Sequence, residues 1–585
     1  MNQPIDPFQY KELKHDLDEI RLLRLLPPIS KDDVICCRLI HTALHRAPTY
    51  RALSYTWGAK ISSESIIVNG KRLSASNNLI GALRRLRSWR ENDESFLWVD
   101  AICIDQNNIP ERNNQIAKMK TIFQNAQSVP VWIGSEKDNS SLAIRLAKKM
   151  NKASRNQVIK MLRDPSTQDQ LMALITLFRR QYWWRIWVIQ EVACAKEAIV
   201  LCGDESIPIM ELCNTCDILK REEHLLLSIY LKSPSYVRTL TTGGPKSLQV
   251  SRDQVPDAVS SPLFELLLSH KSKKSSDPKD KVYALVGISN SRESFGKINY
   301  SLSIRRVYTH TARHIIQDSR RLDVICVNQR NQTTPDNDGL PSWVPNWTRP
   351  PQSRQPTIIG LQHSEPQFMA SGDNYANVQF LQDGYVLRTT GVILGRVQKT
   401  GLSFRRELNS RDNNHRGLKV LQEWWSIVVS KRRPSLREQG AFCRTISCGN
   451  WTFNDHTEYA IRMKALATIL SEQLPKLSFP LSSISAIEGT LDEKERLALL
   501  ISACWTMNRR RFIVSDTGII GLGPWNCSKN DLICILPGCR FPVILRKTDD
   551  HYILVGEAYI DGFMYGEGIR GVKNGLYDLE TFEIH

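Results

Sequence analysis

The feature that most constrains this chain is a nearly uninterrupted apolar run, Phe96-Leu-Trp-Val-Asp-Ala-Ile-Cys-Ile104. Such a run is typical of a β-strand buried on both faces, as in a parallel sheet covered by helices. Before it, Leu79, Leu83 and Leu86 recur at helical spacing, and residues 116–126 repeat this pattern after it. Strands that alternate with helices predict an α/β domain with a largely parallel sheet.

Turn signals extend this pattern in both directions. Arg51–Gly58 has the character of a strand that ends in a glycine turn, and Ser65–Leu73 contains Asn69-Gly70 between two short apolar runs. An Asn-Gly pair in that setting favours a two-residue hairpin. We therefore expect an α/β domain over residues 19–205, preceded by an N-terminal segment over residues 1–18.

The remaining length leaves room for further domains, since 585 residues correspond to three or four domains of about 150 residues. Residues 206–370 have mainly helical patterns, and residues 371–500 form a mixed linker and helical region. Residues 501–585 contain short apolar runs separated by Gly, Pro, Asn and Asp, which predict a small antiparallel sheet or barrel.

Charge and composition exclude several classes of protein. The chain has 78 Lys+Arg and 60 Asp+Glu, a formal charge of +18, but its basic groups, such as Lys271–Lys274 and Arg509–Arg511, are short and scattered. We interpret them as solvated surface, and a nucleic-acid-binding protein stays a remote alternative. The residue spacing indicates no metal site.

Cysteine usage and hydropathy indicate the compartment. The 14 cysteines are spread along the chain, which suits a reducing environment. The N-terminal residues lack the apolar core of a signal peptide, and no stretch reaches the roughly 18 apolar residues of a membrane span. We expect a cytoplasmic protein without a transmembrane segment.

One carboxylate has an unusual setting, because Trp184, Trp187 and Glu191 would share one face of a helix predicted over residues 170–195. A carboxylate at the end of an indole stripe would lose solvation, which raises its pKa and suits acid/base chemistry. In the alternative interpretation the indoles are core residues, and Glu191 reaches solvent or pairs with an arginine.

The carboxyl ends of the predicted strands supply further candidates, because ligands of open α/β sheets bind at that edge. Ser54, Tyr55, Trp57 and Asp105 lie at these ends. Asp105 equally suits a turn or helix cap. Asp100 is five residues from Asp105, and the alternation of a strand would place the two carboxylates on opposite faces.

Three segments together resemble the heterokaryon incompatibility (HET) domain of filamentous fungi. They are Tyr50-Arg-Ala-Leu-Ser-Tyr-Thr-Trp-Gly58, Leu97-Trp-Val-Asp-Ala-Ile-Cys-Ile-Asp-Gln106 and Trp183-Trp-Arg-Ile-Trp-Val-Ile-Gln-Glu191. The resemblance implies a role in non-self recognition, in which such proteins trigger growth arrest or cell death when incompatible hyphae fuse.

The HET family is also thought to be distantly related to the TIR domain, a flavodoxin-like α/β module. Ala52-Leu-Ser-Tyr55 is similar to the Phe-Ile-Ser-Tyr strand of TIR domains, and Trp187 with Glu191 is similar to their Trp-Cys-x-x-Glu pattern, although Val188 replaces the cysteine.

Some TIR domains cleave NAD with that glutamate. The resemblance therefore implies an NAD glycohydrolase in which Glu191 is the catalytic candidate and NAD is a substrate, with no bound cofactor. The candidate substrate-binding residues are Ser54, Tyr55, Trp57, Asp105, Trp184 and Trp187. The alternative is a non-enzymatic adaptor that self-associates through the HET domain and acts on an unknown partner protein.

Overall fold

The computed structural model describes residues 6–14, 17–27, 34–58, 64–89, 96–230, 233–248, 262–289, 292–327, 339–348, 368–405, 413–428, 436–449 and 503–585. The chain divides into two units: residues 1–258 with 265–303, and residues 259–264 with 304–585. Much of the linker and helical region predicted over 371–500 lies outside the described residues, and the predicted domain boundaries stay predictions.

In the described part of the first unit, the strands form two mixed sheets. The strands are β1 (Glu19–Leu25), β2 (Cys36–Ala43), β3 (Tyr50–Ala52), β4 (Ser54–Tyr55), β5 (Ser65–Val68), β6 (Lys71–Ser74), β7 (Phe96–Trp98), β8 (Val129–Trp132), β9 (Ala198–Cys202) and β10 (Glu205–Pro208). One sheet has the order β3-β7-β1-β2-β5-β6 and the other has the order β10-β9-β8-β4.

The strands in the first two HET-like segments, β3, β4 and β7, each have a parallel partner. β3 pairs with β7, β4 pairs with β8, and β8 pairs with β9, all in parallel register. Only Leu53 separates β3 from β4, and its backbone N–H donates to the Trp98 carbonyl at 2.9 Å, beside the point where the chain passes between the sheets. The predicted α/β character of this region is confirmed.

The sheets are nevertheless mixed, because hairpins add antiparallel strands. β1 pairs antiparallel with β7, which is distant in the sequence. The other antiparallel pairs, β1 with β2, β5 with β6, and β9 with β10, join consecutive strands. A short connection permits only an antiparallel pair, since a parallel pair needs a long crossover. The predicted hairpin at Asn69-Gly70 is present, and both residues have positive φ angles of 50° and 78°, as its turn requires.

The strand predicted over Phe96–Ile104 ends at Trp98, so the prediction is wrong for its second half. Asp100–Cys103 forms a helical turn in which the Ile104 N–H donates to the Asp100 carbonyl at 3.2 Å. The Asp100 side chain accepts from the Ala101 N–H at 2.7 Å, a local bond that competes with strand pairing. A buried turn produces the same apolar run as a buried strand.

Helices cover these sheets and form the middle of the chain, as predicted. Up to residue 295 they are α1 (Asn77–Trp89), α2 (Asp100–Cys103), α3 (Ile109–Asn125), α4 (Ser140–Lys152), α5 (Arg155–Arg163), α6 (Gln168–Phe178), α7 (Trp187–Ala193), α8 (Ile209–Arg221), α9 (Glu223–Ile229), α10 (Pro234–Thr242), α11 (Pro262–Ser269), α12 (Asp280–Val286) and α13 (Arg292–Phe295). Leu79, Leu83 and Leu86 form the buried face of α1.

The long helix predicted over residues 170–195 is interrupted. α6 ends at Phe178, a 3-10 turn covers Gln181–Trp184, and Arg185 is extended before α7 begins at Trp187. Trp184 therefore does not lie on the helix that carries Glu191. The predicted stripe is wrong for this residue, and only Trp187 and Glu191 share α7.

The second unit is rich in β-structure, which was predicted over residues 501–585. Its helices and strands are α14 (Ile304–Ser319), β11 (Val378–Leu381), β12 (Val386–Thr400), α15 (Asn413–Val428), α16 (Leu436–Ile446), β13 (Arg510–Ser515), β14 (Ile520–Pro524), β15 (Leu532–Ile535), β16 (Val543–Lys547), β17 (Tyr552–Glu557), β18 (Tyr559–Ile560), α17 (Glu567–Lys573) and β19 (Leu579–Ile584).

β12 organises this sheet, because it pairs with β11, β13, β15 and β19. Since β15, β16, β17 and β19 also follow one another, the strands close on themselves through β12. Two register shifts within β12 let a single strand bend around the closure. In the part of the chain that the structure describes, no helix has the length and apolar character required to cross a membrane.

Candidate functional site

A buried carboxylate lies where the motif segments meet. Glu191 projects from α7 and accepts a hydrogen bond from the Ser54 hydroxyl on β4. The same hydroxyl lies 2.7 Å from the Tyr182 hydroxyl in the 3-10 turn. Ser54 and Tyr182 are fully buried, and Glu191 is 3% exposed. Two segments that are more than a hundred residues apart thus share one hydrogen-bonded group.

The environment of Glu191 disfavours its charged form. Burial raises the pKa of this carboxyl to about 7, and the negative charge of Asp100 adds to the increase. The positive charge of Arg185 and the Ser54 hydrogen bond act in the opposite direction without cancelling it. Near neutral pH both the protonated and the ionised form of Glu191 are therefore populated, which suits acid/base chemistry.

Asp100 brings the second motif segment to the same site. Its carboxylate accepts from the Trp57 indole N–H at 2.7 Å and from the Tyr55 hydroxyl. Burial raises the pKa of Asp100, while Arg185 and these hydrogen bonds oppose the increase. Ser54, Asp100, Tyr182, Arg185 and Glu191 are called the Glu191 cluster below.

Arg185 links the two carboxylates electrostatically without forming a direct ion pair with either. Its guanidinium donates to the Tyr55 carbonyl, and its charge lowers the pKa of both Asp100 and Glu191. The guanidinium is thereby held against the end of β4. Its position depends on the extended backbone of Arg185, which separates the 3-10 turn from α7.

Comparisons with known proteins match two regions of this chain to known families. The sequence profile of the family "Heterokaryon incompatibility protein (HET)" matches residues 50–191, which contain the whole Glu191 cluster. Residues 50–191 are a HET domain. A second profile, "Het-6 beta-barrel domain", matches residues 492–574.

The similarity extends beyond the HET domain. The chain is 23% identical to "Heterokaryon incompatibility protein 6, OR allele" from Neurospora crassa, and the alignment covers 94% of each protein. No solved structure matches the chain significantly. The alignment therefore includes the region that follows the HET domain.

The two tryptophans predicted beside Glu191 have different surroundings in the HET domain. Trp184 is 42% exposed, whereas Trp187 is half-buried and hydrogen-bonds to Asp280 on α12. Asp280 also accepts from the Tyr300 hydroxyl at 2.5 Å, and burial raises its pKa to about 6. Of the two indoles, the more solvent-accessible one is that of Trp184.

Asp105 belongs to another cluster of the first unit. Its carboxylate accepts from the Asn107 N–H at 3.1 Å, so it closes a turn, and its own N–H donates to Glu111 at 2.7 Å. Glu111 receives two hydrogen bonds from Arg21 at 2.6 and 3.0 Å, and both side chains are buried. Arg21, Asp105 and Glu111 are called the Glu111 cluster below.

A basic segment that the sequence analysis assigned to solvent supports the Glu191 cluster. Lys273 is 4% exposed, and its ammonium donates to the Trp183 carbonyl and to the Ser247 hydroxyl, both at 2.7 Å. Lys274 forms a bridge with Arg185, and its carbonyl accepts from the Ile186 N–H at 2.9 Å. The solvated interpretation of Lys271–Lys274 is therefore wrong for Lys273.

Sequence reasoning did not single out Arg21, Glu111, Tyr182, Arg185 or Lys273. The only local signal was at Glu111, which follows Pro110 in the first turn of α3 after the cap residue Asn108. Burial also lowers the pKa of Lys273 to about 7. Among the residues that the structure describes, no group of three or more His, Cys, Asp and Glu side chains is arranged to hold a metal ion.

Proposed function

We propose that this chain acts in fungal heterokaryon incompatibility, as an effector or signalling protein that triggers cell death after unlike hyphae fuse. The HET profile over residues 50–191 and the similarity to an incompatibility protein over 94% of the chain support an incompatibility-related role. We also propose a cytoplasmic location, since the 14 cysteines are spread along the chain instead of forming a dense disulfide framework, which suits a reducing compartment.

We further propose that the HET domain cleaves NAD as a distant relative of TIR domains. Numbered along the chain, its parallel strands β3/β4, β7, β8 and β9 have the spatial order 2-1-3-4, the start of the flavodoxin-like order. Tyr55, Trp57 and Asp100 lie at or just beyond the carboxyl ends of β4 and β7, where such sheets bind their ligands.

Glu191 is the residue that most strongly supports this proposal. Its carboxyl is buried, accepts a hydrogen bond from Ser54 and has a pKa raised to about 7. In the proposed reaction, the bond between the ribose carbon and the nicotinamide nitrogen breaks, and its electron pair stays on the ring. The Glu191 carboxylate stabilises the oxocarbenium-like sugar. Water then adds to that carbon, giving nicotinamide, ADP-ribose and one proton. The carboxylate must be ionised, so the rate rises with pH through about 7.

The second candidate is the non-enzymatic adaptor, and one observation favours it. Glu191 and Ser54 are buried, so a substrate contacts the carboxylate only after the surrounding side chains move. In this alternative the Glu191 cluster stabilises the domain, and the exposed surface of the HET domain associates with a second copy or with the incompatibility partner.

Cell killing by the full-length chain separates the two mechanisms. The variants are Glu191→Gln, which keeps the acceptor for Ser54 but cannot ionise, and Glu197→Gln, an exposed control in the same unit. The proposal predicts that Glu191→Gln abolishes both killing and the fall in cellular NAD at equal protein abundance, while Glu197→Gln changes neither. Full killing by Glu191→Gln would favour the adaptor.

A further inference from the structure

Trp57 and Asp100 form a solvent-accessible edge beside the buried carboxylate. The Trp57 indole donates its N–H to the Asp100 carboxylate at 2.7 Å, yet the residue is 41% exposed. Asp100 itself is only half-buried, and its second oxygen accepts from the Ala101 N–H at 2.7 Å. The indole is therefore fixed by its polar edge while a large part of its apolar surface faces solvent.

The charges around this edge do not balance when both acids are ionised. The two carboxylates, Asp100 and Glu191, interact with the single guanidinium of Arg185, so the three groups sum to −1 when both acids are ionised. Within the described ranges, neither carboxylate forms an ion pair within 4.0 Å. One additional monovalent cation would neutralise the group.

We propose that Trp57 and Asp100 form a subsite for a planar organic monocation, the pyridinium ring of an oxidised nicotinamide nucleotide. This inference rests on the proposed NAD cleavage and assigns its ring-binding residues. A cation over an indole face is attracted by the ring quadrupole, and a neighbouring carboxylate adds Coulomb attraction. Of the exposed indoles Trp57 and Trp184, only Trp57 has a described bond to a carboxylate.

The subsite also favours release of the product of the proposed reaction. The ring is cationic before the bond to the ribose breaks and neutral afterwards, because the bonding electron pair remains on the ring nitrogen. The attraction to Trp57 and Asp100 is therefore lost when nicotinamide forms, which favours its release. For the same reason the subsite prefers the oxidised nucleotide to its reduced form, whose dihydropyridine ring is neutral.

Calorimetric titration of the full-length protein with 1-methylnicotinamide, a pyridinium cation, and with neutral nicotinamide tests the subsite. We expect the cation to bind about tenfold more tightly, the scale of a partly desolvated cation–π contact. Asp100→Asn keeps an oxygen for the Trp57 N–H but removes the charge, and should bring the two affinities together. Trp57→Leu, at an exposed position, should weaken cation binding about tenfold.

Asp138→Asn is the matched control, since it removes the same charge from an exposed position in the same unit. Equal affinity of the wild-type protein for both probes, no binding of the cation, or an equal loss in Asp138→Asn would overturn the subsite.

NAD turnover by the same preparations separates the two hypotheses. Turnover without discrimination between the probes contradicts the subsite but leaves the proposed function. Discrimination without turnover supports the subsite and contradicts NAD cleavage.

Discussion

The Glu111 cluster and the Glu191 cluster each contain a buried glutamate in the first unit, but their partners differ. Glu111 is bonded by both Nη atoms of Arg21, at 2.6 and 3.0 Å, and by the Asp105 N–H. Among the described residues, Glu191 accepts a hydrogen bond from Ser54 alone. The positive charge of Arg185 acts on Glu191, but the Arg185 guanidinium donates its hydrogen bond to a backbone carbonyl.

The difference separates a structural carboxylate from a candidate functional one. A bidentate guanidinium compensates the charge of Glu111, so this residue joins β1 to α3 as a paired carboxylate. Burial raises the pKa of Glu191 to about 7, and the charge of Arg185 and the Ser54 hydroxyl do not cancel this increase. Perturbed carboxylates of this kind concentrate at functional sites.

The largest effect is expected from Glu111→Gln. Removing one partner leaves the Arg21 charge buried without compensation, which should lower the free energy of unfolding by about 3–5 kcal/mol. Chemical denaturation measures it. The double variant Arg21→Met, Glu111→Leu should lose less stability than Glu111→Gln, because it leaves no buried charge. A loss below about 1 kcal/mol for Glu111→Gln would show that this ion pair does not stabilise the fold.

Unlike Glu111→Gln, the substitution Glu191→Gln should raise the free energy of unfolding at alkaline pH. The folded pKa of about 7 lies above the value of 4.5 for an exposed glutamate, so the folded state binds more protons between these pH values and stability falls as pH rises through them. At pH 8 the variant should therefore be more stable than wild type by up to about 3 kcal/mol. At pH 4 the two should be equal. Denaturation at both pH values measures the difference, and a destabilised variant at pH 8 would contradict the assigned environment.

Ser54→Ala should have an intermediate effect. The substitution removes the donor to Glu191 and the partner of the Tyr182 hydroxyl, which should lower the free energy of unfolding by about 2 kcal/mol at pH 8. A double-mutant cycle with Glu191→Gln should give a larger coupling at pH 8 than at pH 4, because the bond is stronger to the carboxylate. A coupling that does not change with pH would indicate that Glu191 stays protonated.

Asp105→Asn should have the smallest effect. Asparagine also accepts from the Asn107 N–H, and the bond from residue 105 to Glu111 is made by the backbone. Its thermal and chemical stability should therefore change by less than about 0.5 kcal/mol. A loss comparable to that of Glu111→Gln would mean that the Asp105 charge itself maintains the Glu111 cluster.

Local patterns predicted the local elements of this fold well. The spacing of Leu79, Leu83 and Leu86 predicted α1, and Asn69-Gly70 predicted the β5–β6 hairpin, because both depend on nearby residues. The helical turn at Asp100–Cys103 was not predictable in this way, since a buried turn and a buried strand have the same apolar composition.

The candidate site was only partly predictable, because its contacts join distant segments. Ser54 and Glu191 were candidates, but their hydrogen bond spans 137 positions and has no local signal. The assignment of Asp105 to the strand-end crevice depended on a strand that ends six residues earlier, so Asp100 occupies that place. Lys273 has no local signal either, since its burial depends on Trp183 and Ser247.

The most direct test is nicotinamide release from NAD by the purified full-length protein and its Glu191→Gln variant, measured from pH 5 to pH 9. We expect release by the wild-type protein at a rate that rises through about pH 7 to a plateau, and no release by the variant. Equal rates for the two proteins, or no release by either at concentrations that drive self-association, would contradict a catalytic Glu191 and favour the adaptor.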